Sequence, residues 1–278
     1  KMKLKIYNMS GAGNLFNVID NRVYVLSQEQ MAQLVPEIVI LTRTENFLSE
    51  GVMFLDNSIE YDFVVNFYNT DGTSGMMCGN GGRCAVRFAN DLNFVAKDKV
   101  SFFMAGNNYK ARFKDKNIVL SMPEPIKVNT KFEYDFDGEI IKCGLFDVGS
   151  DHVVVKDTNM GIHFNDDVNF IEIARKIRYD FGTFPRGVNV NLISVSDSGL
   201  NIKTYERGIE RITGACGTGS VSAAIYAHIA ENLPLPIKLI PPSGSELYVN
   251  FVHSATSNIS EVTLEGAAAF LDENEITI

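Results

Sequence analysis

The chain has 278 residues, enough for one large domain or two of ordinary size with a substantial buried core. Hydrophobic residues make up 45% of it and charged residues 21%, a balance that excludes wholesale disorder. The formal net charge of −9, with no run of Lys and Arg, disfavours nucleic acid and anionic lipid as partners and favours a small polar ligand.

The first half of the sequence predicts strands that flank two helices. Ser27, with Gln30 three residues later, predicts a capping box and an amphipathic helix after it. Alternating apolar residues and turn signals predict the remaining elements. These are strands at 4–7, 16–19, 51–55 and 61–68, a loop at 69–82, a helix at 83–90, and strands at 100–104, 109–113 and 118–122.

The second half repeats this order after a boundary marked by Pro123 and Pro125. A final segment, 262–278, has strand character around a predicted turn at Gly266 and is expected to return to the first domain. The elements between are strands at 140–147 and 153–155, a helix at 170–179, strands at 188–195 and 200–205, a glycine-rich loop, a helix at 220–232, and strands at 237–240 and 247–252.

The repeated order predicts a duplicated α/β (α+β) fold. We expect two pseudo-symmetric domains, one formed by residues 1–122 with 266–278 and the other by residues 123–265. The functional site is expected in the cleft between them, where ligand sites commonly form.

The cysteine content and hydropathy favour a cytoplasmic protein. No apolar run approaches the roughly 20 residues that a membrane-spanning helix needs, and we find no secretory leader. Four cysteines are too few for a disulfide framework in a chain of this length. We therefore expect no membrane association and four free thiols, namely Cys78, Cys84, Cys143 and Cys216.

Two cysteine–glycine runs carry the strongest chemical signal. Residues 78–82 are Cys-Gly-Asn-Gly-Gly and residues 216–220 are Cys-Gly-Thr-Gly-Ser, and each run precedes a predicted helix. The N–H groups and the dipole at a helix N-terminus bind a carboxylate and favour a thiolate. The pair therefore predicts two acid/base thiols beside a carboxylate site.

Such thiols could invert an amino acid at its α-carbon. A thiolate on one face would remove the α-proton, and a thiol on the other face would return one. The reaction needs no cofactor and no metal, because donors aimed at the carboxylate stabilise the carbanion. The alternatives are that each cysteine is a small buried hydrophobe in a tight turn, or that the four thiols bind zinc. The duplication disfavours the first, and the wide spacing of Cys143 and Cys216 disfavours the second.

Four further features are candidates with an ordinary structural alternative. Glu206 and Arg207 could bind the amino and carboxylate groups of a zwitterion, or form a surface ion pair. Asn69 occupies the equivalent place before the first loop, and Asn14 lies in a glycine turn, where Asn is common. His152 could exchange a proton with a thiol or be a plain surface histidine.

Three motifs together resemble those of the diaminopimelate epimerase family, and the resemblance runs along essentially the whole chain. They are Met-Ser-Gly-Ala-Gly-Asn at 9–14 with Phe16, Asn-Thr-Asp-Gly at 69–72 leading into the run 77–84, and Tyr-Glu-Arg-Gly at 205–208 leading into 215–219. The resemblance implies two domains, each a mostly antiparallel sheet wrapped around a central helix. It also implies interconversion of LL- and meso-2,6-diaminopimelate, a step in lysine and peptidoglycan biosynthesis.

The resemblance implies a role for each matching residue. Cys78 and Cys216 would be the catalytic pair, with His152 and Glu206 beside the thiols. The reacting carboxylate would be bound by the residues that follow each cysteine, Gly79, Asn80, Gly217 and Thr218. The rest of the substrate would be held by Asn14, Asn69, Ser150, Asn189, Glu206 and Arg207.

The sequence departs from the family pattern at several positions. Ser150 and Asp151 stand where the family commonly has Asn-Pro, Ile212 stands where it usually has Glu, and the pattern near 49–51 is partly altered. These changes bear on the substrate more than on the thiol pair.

Two alternative functions remain open from the sequence. One is a racemase of the same fold acting on histidine, proline or hydroxyproline, although proline-type relatives usually carry Gly-His-Gly after the first cysteine. The other is a non-enzymatic amino-acid-binding or redox-sensing protein. In each case the expected partner is a small amino acid, not nucleic acid, and a homodimer is the assembly to test.

Overall fold

A computed structural model describes residues 2–75, 77–95, 98–255 and 258–278. The chain divides into two compact units, Lys1–Ser121 with Glu265–Ile278 and Met122–Leu264. Met76, in the predicted loop 69–82, lies outside the described residues.

The first unit is a sheet built around one helix. Its elements are β1 (Lys3–Gly11), β2 (Asn14–Asp20), α1 (Asn21–Tyr24), α2 (Gln28–Thr42), β3 (Val52–Asp56), β4 (Phe63–Tyr68), α3 (Gly79–Asp91), β5 (Lys99–Met104), β6 (Asn107–Lys114) and β7 (Asn117–Ser121). These strands are hydrogen-bonded in chain order, with β2–β3 and β4–β5 parallel and the other pairs antiparallel. Helix α3 contacts β1, β2, β3 and β7, so it is the central helix of this unit.

The second unit repeats the plan. Its elements are β8 (Lys127–Phe136), β9 (Glu139–Asp147), β10 (Asp151–Lys156), α4 (Asp157–Met160), α5 (Asp167–Arg178), β11 (Asn189–Ser196), β12 (Gly199–Tyr205), α6 (Gly217–Ala230), β13 (Ile237–Ile240), β14 (Leu247–His253) and the start of β15 (Ile259–Thr277). The parallel pairs are β10–β11 and β12–β13, the counterparts of those in the first unit. Helix α6 contacts every strand from β8 to β14. The predicted fold class is confirmed.

The central helices begin earlier than the sequence predicts, at Gly79 and Gly217 rather than at 83 and 220. Glycine is a poor helix former, which is why the pattern indicates a loop there. Tertiary packing overrides this preference, because the glycines of both first turns are buried. Residues 79–82 and 217–219, which were predicted as loop, are therefore the first turns of the helices.

One prediction in the strands is wrong, and one strand was not predicted. β15 is one strand, and its register shift lies opposite Asn8 and Met9 rather than at Gly266. Pairing with β1 along its C-terminal part keeps Gly266 within the extended segment. β8 was not predicted, because polar residues dominate it and Tyr134 is its only buried residue.

The capping box of α2 is present as predicted: Ser27 accepts from the Gln30 N–H at 3.3 Å, and the Gln30 side chain accepts from the Ser27 N–H at 2.9 Å. Replacing Ser27 with Ala should lower the free energy of unfolding by about 1 kcal/mol, because an N-terminal N–H loses its acceptor. Denaturant titration measures the change. Glu37→Ala, on an exposed position of the same helix, should change it by less than about 0.5 kcal/mol. Equal effects of the two substitutions would show that the cap contributes nothing.

Candidate active site

Cys78 caps the N-terminus of α3. Its backbone is extended, with φ −117° and ψ 113°, and its Sγ accepts from the Gly81 N–H at 3.5 Å. Gly11 of β1 allows the helix start to come close, since a Cβ there would lie 2.5 Å from the Asn80 carbonyl oxygen. The thiol is therefore held at the positive end of a helix that packs tightly on its own sheet.

A chain of hydrogen bonds runs beneath this cysteine. Arg83 donates from Nη2 to the Asn80 Oδ1 at 2.6 Å, and Asn80 donates from Nδ2 to the Asn14 Oδ1 at 2.8 Å. Asn14 in turn donates to a carboxylate oxygen of Glu50. The chain thus joins a guanidinium to a carboxylate through two amides, which sets the orientation of both amides. We call Cys78, Asn80, Arg83, Asn14 and Glu50 the first thiol cluster.

Cys216 caps α6 in the same way. Its backbone has φ −122° and ψ 119°, and its Sγ accepts from the Gly219 N–H at 3.4 Å. Gly219 permits close packing on β11, because a Cβ there would lie 2.5 Å from the Asn191 Oδ1. The Thr218 hydroxyl lies 3.6 Å from Sγ. We call Cys216, Thr218, His152, Ser150 and Asn191 the second thiol cluster.

His152 is fully buried, so the surface alternative for this residue is wrong. Its Nε2 lies 2.9 Å from both the Thr218 and the Ser150 hydroxyls. Its Nδ1 lies 3.1 Å from the Asn191 Nδ2, which also donates to the Val153 carbonyl. Because this amide presents a donor, Nδ1 acts as the acceptor and the proton lies on Nε2. Burial, aided by the charge of Arg207, lowers the pKa of His152 to about 3, so the ring is neutral.

The departures at 150 and 151 both have side-chain partners in the second unit. Ser150 places its hydroxyl between His152 and Thr218, at 2.9 Å and 3.4 Å. Asp151 binds Arg186 through both carboxylate oxygens, at 2.8 Å and 2.9 Å, where the family has a proline. This bidentate ion pair joins the start of β10 to the segment that precedes β11.

The loop carrying Glu206 and Arg207 is tied to the same region. Asn189 accepts from the Arg207 N–H at 2.8 Å and donates to the Asp151 carbonyl at 2.9 Å. Glu206 accepts from the Thr213 hydroxyl at 3.0 Å. Arg207 donates from Nη1 to the Arg186 carbonyl at 2.6 Å. Glu206 and Arg207 thus have partners other than each other.

Asn69 and two of the cysteines stand apart from these clusters. The exposed Asn69 side chain donates within its own turn, to the Thr73 hydroxyl at 2.9 Å. Cys84 is buried in α3, and Cys143 is buried in β9. Burial raises the pKa of each of these two thiols to about 12, so both stay protonated near neutral pH.

Sequence reasoning missed two buried polar residues, Arg83 and Asn191. Each lies within an element whose neighbours are mostly apolar, where a single polar residue gives no periodic signal. The one signal that could have identified them is their spacing from a predicted site residue. Arg83 comes three residues after Asn80, and Asn191 comes two after Asn189, so each pair shares a helix face or a strand face.

Comparisons with known proteins show first a shared fold and then a family. Over 99% of this chain and 93% of the other, the structure resembles a hydroxyproline epimerase from Agrobacterium vitis, with a TM-score of 0.72 and 14% identity. At that identity the likeness shows a shared fold. A model of the diaminopimelate epimerase family matches residues 6–128.

Curated relatives extend that match to nearly the whole chain. The diaminopimelate epimerase of Chlorobaculum tepidum is 33% identical, over 97% of this chain and 100% of the relative. That of Flavobacterium psychrophilum is 32% identical, over 98% and 100%. The chain belongs to the diaminopimelate epimerase family, a family of isomerases. The resemblance stated from the motifs is confirmed.

The lowered pKa of His152 predicts a pH dependence of stability. Between pH 6.5 and 3 the unfolded chain binds a proton at this residue that the folded chain does not bind, so stability falls as the pH falls. From pH 7 to 5 the loss due to His152 should be about 2 kcal/mol. Denaturant unfolding at both pH values should show a smaller loss in His152→Gln than in the wild type.

His163→Gln is the matched control, because His163 is exposed. Its replacement should change the free energy of unfolding by less than about 0.5 kcal/mol. A His152 ring signal in the NMR spectrum that titrates between pH 8 and 5 would contradict the account.

Proposed function

We propose that this chain epimerises LL- and meso-2,6-diaminopimelate with two cysteine thiols and without pyridoxal phosphate or another cofactor, in the cytoplasm. The observation that carries the proposal is the duplicated construction of the thiol sites. In each unit a half-buried cysteine caps the central helix, and its Sγ accepts an N–H three residues on. Family membership supports diaminopimelate over proline, hydroxyproline or histidine as the substrate.

The proposed reaction moves one proton from the α-carbon and one proton to it. The thiolate of one cysteine removes the α-proton, and the electron pair of the broken C–H bond delocalises into the carboxylate. The thiol of the other cysteine then donates its proton to the opposite face of the carbon. The configuration is inverted, and the thiolate now lies on the second cysteine. The chemistry requires both thiols to reach the same α-carbon.

The carboxylate gains negative charge as the proton leaves, so its donors act mainly in the transition state. The first turns of α3 and α6 supply such donors, because N–H groups there lack an acceptor within the helix. We assign the reacting carboxylate to Gly79, Asn80, Gly217 and Thr218.

The remainder of the substrate is a second amino-acid group, which carries one positive and one negative charge. We assign it to Asn14, Asn69, Ser150, Asn189, Glu206 and Arg207, in which Glu206 and Arg207 provide the complementary charges. We also assign Glu206 a position beside one of the two thiols during the reaction.

His152 acts through Thr218 in this proposal. The ring is neutral and its Nε2 lies 2.9 Å from the Thr218 hydroxyl; a hydrogen bond donated to this hydroxyl leaves the Thr218 proton free to point toward the Cys216 thiolate. His152 thereby positions the hydrogen bond that stabilises this thiolate, without itself exchanging a proton with it.

Replacing either Cys78 or Cys216 with Ser should reduce epimerisation by about 10²-fold or more, because the hydroxyl is a far weaker acid/base at neutral pH. The measurement is the rate at which meso-diaminopimelate forms from the LL isomer in purified protein with reductant and no added cofactor. Cys143→Ala is the control, since this thiol is buried in the core of the second unit. It should lower stability and leave the rate of the folded enzyme unchanged.

A panel of amino acids separates the proposed substrate from its rivals. Solvent deuterium should enter the α-position of diaminopimelate and not that of proline, hydroxyproline or histidine. Exchange into one of those and not into diaminopimelate would keep the reaction and reject the substrate. Exchange into none of them would favour a binding or redox-sensing role.

A further inference from the structure

Arg83 places a positive charge in the interior of the first unit. Its side chain is 0% exposed, and its Nε has no hydrogen-bond partner within the described residues. Within that part of the chain no carboxylate forms an ion pair with it. A buried charge is costly unless something compensates for it, so this arginine calls for a partner of opposite charge.

Its hydrogen bonds all point to the residues that follow Cys78. Nη1 donates to the Gly79 carbonyl at 3.3 Å, and Nη2 donates to the Asn80 Oδ1 at 2.6 Å. The guanidinium therefore lies directly beneath the turn that presents the thiol. Because the Asn80 Oδ1 accepts from Arg83, the Asn80 Nδ2 is the atom of this amide that can donate to a substrate carboxylate.

The second unit offers a natural comparison. The residue five positions after Cys216 is Val221, which is buried as Arg83 is. The two thiols thus share the same capping geometry and helix position, but only the first has a buried cation at this place in its helix. The duplicated sites are electrostatically unequal.

Among the described residues, the thiols of Cys78 and Cys84 act on the Arg83 charge, and Cys84 stays protonated because burial raises its pKa to about 12. Glu50 is joined to Arg83 only through the hydrogen bonds of Asn14 and Asn80. Burial lowers the pKa of Arg83 to about 10, and the guanidinium remains charged near neutral pH.

We propose that Arg83 is a positioning residue that holds Asn80 and stabilises the thiolate of Cys78, so that the resting enzyme carries its negative charge on Cys78 and its proton on Cys216. This inference rests on the proposed two-thiol reaction. It adds that the two protonation states of the resting enzyme, with the thiolate on Cys78 or on Cys216, differ in free energy. The enzyme with its thiolate on Cys78 is then ready for the one stereoisomer whose α-proton faces that residue.

The test is a titration of each thiol in isolation, followed by the ultraviolet absorbance of the thiolate. In the Cys216→Ser protein, Arg83→Gln should raise the titration midpoint of Cys78 by about one pH unit or more, because an opposite charge nearby lowers a thiol pKa by about that much. Gln can still donate to Asn80, so the substitution removes the charge more than the contact. In the Cys78→Ser protein, the same substitution should leave the midpoint of Cys216 unchanged.

An unchanged Cys78 midpoint in folded Arg83→Gln protein, or an equal shift at both thiols, would overturn the proposal. Arg83→Lys provides the second variant if Arg83→Gln does not fold. It keeps the charge and loses the planar fork, so the Cys78 midpoint should stay low while KM rises. A midpoint that rises in Arg83→Lys would also overturn it. These titrations need no substrate, so they are decided independently of whether diaminopimelate is turned over.

Discussion

The thiol site of each unit depends on one hydrogen bond, in which the cysteine Sγ accepts an N–H at the start of the central helix. The contact is possible because a glycine lets each helix start approach a neighbouring strand: Gly11 of β1 in the first unit, and Gly219, which faces β11, in the second. It holds the thiol at the positive end of a buried helix, where a thiolate is favoured. The polar side chains grouped around each thiol and the proposed chemistry both depend on that placement.

Much of the fold could be predicted, because short-range sequence patterns indicate its elements. The capping box at Ser27 and Gln30, the alternating strands and the repeated order of elements each have a short-range signal. The starts of α3 and α6 could not be predicted from propensity, since glycine favours a loop and only burial within the sheet makes it helical. β8 was missed because pairing with β9, rather than its own composition, makes it a strand.

The site could be predicted in part for the same reason. The two cysteine–glycine runs are contiguous motifs, whereas the contacts of Asn80 with Asn14, of Asn191 with Val153 and of Asp151 with Arg186 are made across elements distant in sequence. Asp151 illustrates the difference: by sequence it is a departure from the family, and only the structure shows that its carboxylate binds Arg186. Likewise, the burial that makes His152 neutral is a property of the folded unit.

The central claim is that two different groups handle the proton on the two faces of the α-carbon. Its most direct test is the fate of hydrogen at early times when LL-diaminopimelate reacts in deuterated water. With two thiols, newly formed meso product should carry one solvent deuterium at the inverted carbon while the remaining LL substrate keeps its protium. Product that retains the original hydrogen at that carbon would indicate a single group serving both faces and would contradict the account.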